Sequence, residues 1–322
     1  MSKSLHVLLA AAAVFMGCIA AAQAQYPAKP IRFILPFPPG GGTDTLGRII
    51  GAKLSEALGQ QVVMDNRPGA GANIGAELAA KSPPDGYTLL MGNIAHSINV
   101  TLYSKLNYNF LRDLAPVSLL ASTPNIVVVH PSVPATSIKQ LVALAKARPN
   151  ELDVASSGSG SSAHLAGVLF MQLAGVKMNH VPYKGGGPAV IALVSGEVSV
   201  GFATTPSVIA HIKSGRLRGL AVTGAQRSAS TPDLPTVSEA GVKGYEVTGW
   251  YGILVPAGTP QDVISRLHAE SVKVIKLPDV RQKLDAAGFE AIGTTPEEFG
   301  AFMRSEVEKW AKVVKAAGVR VD

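Results

Sequence analysis

Two glycine-rich segments sit where an apolar run gives way to a helical pattern, and they carry most of the chemistry legible in this sequence. The first, Pro36-Phe37-Pro38-Pro39-Gly40-Gly41-Gly42-Thr43-Asp44, follows the apolar run that begins at Ile31 and precedes the Leu46–Leu58 pattern. The second, Ser156-Ser157-Gly158-Ser159-Gly160-Ser161-Ser162-Ala163-His164, precedes Leu165–Leu173. Glycine lets the backbone approach a ligand, and the first turn of a helix has N–H groups without intrahelical partners. The helix dipole adds to them, so each junction is an anion site that needs no charged side chain. A plainer role is open to the same residues, because Thr43, Asp44, Ser161 and Ser162 all suit helix capping. Repetition of the arrangement in both halves of the chain favours a ligand gripped from two sides.

A third junction, Val181-Pro182-Tyr183-Lys184-Gly185-Gly186-Gly187-Pro188, offers an aromatic wall and a hydroxyl from Tyr183 and a charge from Lys184. Catalytic patterns fail where they can be tested. Neither long glycine loop ends in Gly-Lys-Ser/Thr, Gly158-Ser159-Gly160 lacks the third glycine of a dinucleotide fingerprint, and its serines do not fit Gly-x-Ser-x-Gly. His96, His130, His164, His180 and His211 have no metal-ligand spacing. No acid–base couple stands out, so the expectation is a binding protein with no catalytic residues, no metal and no cofactor.

The elements that position these junctions follow from hydrophobic periodicity. Short apolar runs at Ile31–Phe37, Gln61–Met64, Thr88–Gly92, Ile126–His130, Leu152–Ser156, His180–Tyr183, Val198–Thr204 and Leu217–Thr223 alternate with amphipathic stretches. In Thr43–Leu58, for example, Leu46, Ile49, Ile50, Leu54, Ala57 and Leu58 form one apolar face. That rhythm predicts α/β layering with mainly parallel sheets. The last segment, Pro296 to Ala317, reads as a long helix burying Phe299, Phe302, Met303, Val307, Trp310, Val313 and Val314, and able to lie back across the first part of the fold.

The chain has 322 residues, and its start reads as an address rather than as fold. Lys3 and His6 precede an apolar run from Val7 to Ala22, and Ala22-Gln23-Ala24 matches a signal-peptidase site, so residues 1–24 are expected to be a signal peptide cleaved after Ala24. The run is short and alanine-rich for a bilayer span, which needs about 20 residues. Cys18, the only cysteine, lies inside this segment, and Phe15-Met16-Gly17-Cys18 is a poor lipoprotein match. The processed chain then has no thiol for disulfides, zinc–thiolate sites or nucleophilic catalysis. Its length suggests two lobes of about 100–200 residues. The net charge is +7, yet no basic block with interleaved aromatics points to nucleic acid, and a diffuse positive field suits either the steering of anions toward a cleft or plain solubility.

Taken in order along the chain, several stretches carry a family likeness. Lys29-Pro30-Ile31-Arg32 through Pro36-Phe37-Pro38-Pro39-Gly40-Gly41-Gly42-Thr43-Asp44 resembles the opening of the Bug family, the substrate-binding receptors of tripartite tricarboxylate transporters. Asn66-Arg67-Pro68-Gly69-Ala70-Gly71, Pro84-Asp85-Gly86-Tyr87, Pro235-Thr236-Val237-Ser238-Glu239-Ala240-Gly241, Trp250-Tyr251-Gly252 and Pro256-Ala257-Gly258-Thr259-Pro260 fit the same family. The resemblance implies a type II periplasmic-binding-protein fold, with two α/β lobes closing on a central cleft. It implies lobe 1 from residues 25–124 and 250–322 and lobe 2 from 125–249. It also implies a carboxylate pincer with Phe37, Gly41, Gly42, Thr43 and Asp44 on one jaw, and Ser157, Gly158, Ser159, Gly160, Ser161, Ser162 and His164 on the other. After the run Val198–Phe202 many family members that resemble amino-acid binders carry Asp, whereas this chain has Ala203, followed by Thr204 and Thr205. An alanine cannot pair with a ligand ammonium, so the expected ligand is a mono-, di- or tricarboxylate, aliphatic or aromatic, without an amine; the alternative is that Ala203 faces the core and bears on no ligand. The implied partners are that carboxylate and integral membrane transporter subunits, the implied location is the periplasm, and nothing calls for more than a monomer. A sensory module for a membrane signalling partner and an exported enzyme acting on a carboxylate are the competing readings.

Overall fold

The computed structural model describes residues 26–321; the expected signal peptide, its cleavage point and Cys18 lie outside the described residues. Strand β1 (Ile31–Leu35) leads through the first glycine loop into α1 (Gly42–Leu58), and β2 (Val62–Asn66) returns beside β1 in parallel. After a short 3-10 turn come α2 (Asn73–Ala80), β3 (Thr88–Asn93) on the other flank of β1, and α3 (Ile94–Leu102). Leu46, Ile50, Leu54 and Leu58 of α1 are buried with Ile31, Phe33 and Leu35, which is the apolar face that the spacing predicts.

The long strand β4 (Leu114–Val129) is the spine of the molecule. Its first part, Leu114–Pro124, pairs antiparallel with β9 (Thr248–Pro256), and its last part, Asn125–Val129, pairs with β7 (Val200–Thr204) and β8 (Arg218–Val222). The second lobe repeats the pattern of the first. From α4 (Ile138–Ala147) the chain enters β5 (Asp153–Ser156), passes the Ser/Gly loop into α5 (Ser162–Ala174), and continues through β6 (Asn179–Pro182) and α6 (Gly186–Ser195) to β7 and α7 (Thr205–Lys213). Strand β5 lies parallel between β6 and β7. Each lobe therefore has a three-stranded parallel section, as the βα alternation predicts, completed by antiparallel crossing strands that make the whole sheet mixed. The chain closes with α8 (Gln261–Ile275), α9 (Pro278–Ala287), the short β10 (Glu290–Ala291) against β4, and α10 (Pro296–Ala317).

Helix α10 has the bounds its periodicity predicts and packs on α3 and β4. A capping box between Thr295 and Glu298 starts it, and Gly318 in the left-handed region ends it. Its Glu306 is buried, and one carboxylate oxygen accepts from the indoles of both Trp250 and Trp310 at 3.0 Å. The acid thus ties the returning helix to crossing strand β9, and either indole would lose about 1–3 kcal/mol without it. No helix among the described residues is long and apolar enough to cross a membrane.

Candidate ligand-binding cleft

Between the lobes lies a cleft with a cavity of about 40 Å3. Five helices point their N-termini at it. Gly41, Gly42 and Thr43 bring the start of α1, Asn93, Ile94 and Ala95 the start of α3, Ser161 and Ser162 the start of α5, Gly186 the start of α6, and Thr204 the N-cap of α7. Phe37, Ser157 and Tyr251 complete the wall, and no lining residue carries a formal charge. At α1, α6 and α7 no side chain caps the helix, so the first-turn N–H groups stay free for a ligand, except that Pro188 of α6 and Pro206 of α7 have none to offer. Each terminus presents roughly half a positive charge, and together they offset one or two carboxylates.

Capping accounts for only part of the second loop: Ser161 accepts from the His164 N–H at 3.2 Å, while α1 begins at Gly41, which has no side chain to cap with. Of the residues expected on the jaws, Phe37, Gly41, Gly42, Thr43, Ser157, Ser161, Ser162 and Thr204 line the cleft, and the others do not. Asp44 is turned back into its own loop, where it accepts from the Gly40 N–H at 3.2 Å, from Arg48 at 3.0 Å and from Asn66 at 3.1 Å. Burial opposes ionisation of Asp44, but those donors outweigh it and hold the carboxyl below its usual range. Asn66 also donates to the Phe37 carbonyl at 2.9 Å, so it braces the first jaw from outside.

Gly158 and Gly160 take the positive φ values of +118° and +84° that shape the second jaw, and Ser159 turns its carbonyl to the facing lobe near Gly71. His164 lies beneath that loop, its Nδ1 accepting from the Gly160 N–H at 3.2 Å and its ring stacked on His180 at 4.1 Å. Tyr183 donates to Glu197 at 2.8 Å, away from the cleft. Ala203 alternates with Thr204 along β7, so its side chain faces the opposite side and packs on the cluster of Ile126, Val128 and Val190. Ala203 therefore says nothing about a ligand amine, and the lining contains no carboxylate.

Asn93, Ile94, Ala95, Gly186 and Tyr251 line the cleft without having been singled out as contacts in the sequence. Gly186 lies within the third glycine junction and Tyr251 within Trp250-Tyr251-Gly252. The α3 junction has no glycine run, and its one signal is an asparagine directly after a strand, suited to an N-cap.

Burial, with the neighbouring His180 as a second cause, lowers the pKa of His164 to about 3, and burial lowers that of His96 to about 4. An unfolded histidine titrates near 6.5 and so takes up its proton first, which makes stability rise with pH across this window. The stability is complete above about pH 6.5 and is lost as pH falls toward 3, by several kcal/mol at roughly 1.4 kcal/mol per unit. Urea melts between pH 7 and 4 should show this slope, and His164→Asn, which keeps an acceptor for the Gly160 N–H, should flatten it; an unchanged slope would reject the assignment.

Two mixed-sheet lobes joined by crossing strands, with helix N-termini converging on the cleft, define a solute-binding protein. The family model described as the tripartite tricarboxylate transporter family receptor matches residues 46–319. Protein BugT of Bordetella pertussis is 38% identical over 298 residues, covering 92% of this chain and 91% of that protein. The structure of Rpa4515 from R. palustris with adipate superposes with a TM-score of 0.89 at 37% identity, covering 92% of this chain and 99% of that one. MatC from Rhodopseudomonas palustris with bound malate gives 0.86 at 30% identity, covering 90% and 100%. This chain belongs to the tripartite tricarboxylate transporter receptor family, the Bug receptors.

Proposed function

We propose that the protein is a periplasmic receptor that captures a small organic carboxylate lacking an amino group and presents it to the membrane subunits of a tripartite tricarboxylate-type transporter. The convergence of helix N-termini on an uncharged cleft carries this reading, since it favours negative groups and offers no acid to an ammonium. The relatives solved with adipate and with malate support the same ligand class. On this reading the lobes comprise residues 25–124 with 250–322 and residues 125–249, the boundary falling where β4 exchanges β9 for β7 and β8. The contact set is Phe37, Gly41, Gly42, Thr43, Ser157, Ser161, Ser162 and Thr204. Residues 1–24 direct export, and the receptor works as a monomer.

Binding without turnover fits the lining, which pairs no acid with a base. The ligand favours the closed over the open arrangement through contacts made from both lobes. Isothermal titration with succinate and aspartate tests the charge argument. Succinate should bind at least about tenfold more tightly, a difference of about 1.4 kcal/mol. A preference for aspartate would overturn the reading.

A further inference from the structure

Asn93 ends β3 and caps α3, and the residue is only 3% exposed. Its Oδ1 accepts from the Ala95 N–H at 3.0 Å, and its own N–H donates to His96 Nδ1 at 3.1 Å. The cap therefore fixes which way the amide faces: the oxygen belongs to the helix, and the nitrogen is left over. That Nδ2 is buried without a hydrogen-bond partner among the described residues, and Asn93 lines the cleft. A buried polar group left unpaired is costly, which calls for an explanation in a residue so firmly held.

Register supplies a second donor beside it. Asn93 stands directly opposite Tyr251 in the antiparallel β3–β9 pair, which puts both side chains on one face of the sheet. The Tyr251 hydroxyl reaches the start of α1, where a Cβ on Gly42 would stand 2.5 Å from it. Burial raises the pKa of this phenol well above its ordinary value, so it stays protonated and able to donate. His96 is likewise held neutral by burial, and its Nδ1 lies 3.1 Å from both the N–H and the carbonyl oxygen of Asn93, accepting from the first in one tautomer and donating to the second in the other.

We propose that Asn93 Nδ2 and the Tyr251 hydroxyl form a donor pair on the cleft floor that reads a second oxygen of the ligand, apart from the carboxylate held by the helix N-termini, and so set selectivity among carboxylates. This rests on the carboxylate-receptor reading and adds to it the residues that discriminate. Both donors are uncharged, so they accept a second carboxylate, a hydroxyl or a keto oxygen, and they leave a methyl terminus facing an unpaired amide.

The probes are matched pairs of linear monocarboxylates and α,ω-dicarboxylates from three to eight carbons, titrated into the processed protein. For the best-bound pair the diacid should be preferred at least tenfold. Asn93→Ser keeps a capping oxygen and removes the amide donor. It should cut that preference to within about threefold, an energy difference of roughly 0.65 kcal/mol, while the monoacid affinity moves less than the diacid affinity. Tyr251→Phe should act in the same direction. Equal losses for both members of a pair would assign Asn93 a structural role only, and an unchanged preference in both variants would overturn the proposal. If wild type prefers the monoacid, the proposal fails while the receptor reading stands; if it binds none of the acids, the receptor reading itself fails.

Discussion

Gly42→Ala is expected to weaken carboxylate binding about 100-fold, which is roughly 2.8 kcal/mol, while the variant folds normally. Gly42 does not adopt a positive φ, so alanine brings no backbone strain there. The obstacle is space: the new Cβ would stand 2.5 Å from the Tyr251 hydroxyl oxygen, 3.2 Å from its Cζ and 3.4 Å from Thr204 Oγ1. Those atoms belong to the cleft wall, and forcing a methyl group among them costs about 1–3 kcal/mol and occupies the place beside the α1 N–H groups. Combining Gly42→Ala with Tyr251→Phe removes the nearest clashing atom and should recover part of the affinity for a monocarboxylate. Titration calorimetry with thermal melts checks both points. Wild-type affinity in Gly42→Ala would mean that no ligand lies against this turn.

Gly160→Ala should produce a loss of similar size by a different route, acting on closure rather than on contact. Gly160 has φ +84°, and a Cβ there would collide with Asn99 Oδ1 and stand 3.0 Å from Leu102 Cδ2, both on the facing lobe. Gly71 is built the same way in the opposite direction, with the Ser159 carbonyl 2.5 Å from a would-be Cβ. Gly185 and Gly187 close the other end of the cleft against Pro38 and Pro39 at 2.5 and 2.9 Å. Glycines thus stand at these four places where the rims meet, and a side chain at any of them would press on the facing rim. The backbone strain of an alanine at this φ is present open or closed, but the contact penalty arises only in the closed form and subtracts from the binding energy, so about 3 kcal/mol would raise Kd more than 100-fold. Solution scattering at saturating ligand should then give Gly160→Ala a larger radius of gyration than wild type. A Kd within threefold of wild type would show that these rims need not meet for binding.

Much of the fold was legible because its signals are local. The βα alternation places β1, β2, β3, β5, β6, β7 and β8 within a few residues of where they form, and the heptad-like burial of Phe299, Met303, Trp310 and Val314 fixes α10. The crossing strands were not. The first part of β4 contains Pro116 and Pro124, residues that argue against a central strand, and the register shift between Pro116 and Ser118 is how the sheet accommodates the first of them. Strand β9 is buried along nearly its whole length, so it shows no alternation to read.

The site divides in the same way. Glycine-rich junctions announce α1, α5 and α6, whereas α3 enters through Asn93 with no such mark, and Tyr251 reaches the cleft only through its pairing across the sheet. Spacing along the chain also cannot tell a contact from its support. Asp44 and His164 sit in the right loops, yet one laces the first jaw through Gly40 and Arg48 and the other props the second beneath Gly160. The strand period would have turned Ala203 away from the cleft once Thr204 was placed in it.

A crystal structure of the processed protein with a bound dicarboxylate tests the central claim most directly. One carboxylate should lie about 2.7–3.2 Å from the backbone nitrogens of Gly42 and Thr43 on one side and Ser162 on the other, with no lysine or arginine nitrogen within about 4 Å. A carboxylate paired instead with Lys184 or Arg48, or seated outside the space between the lobes, would contradict it.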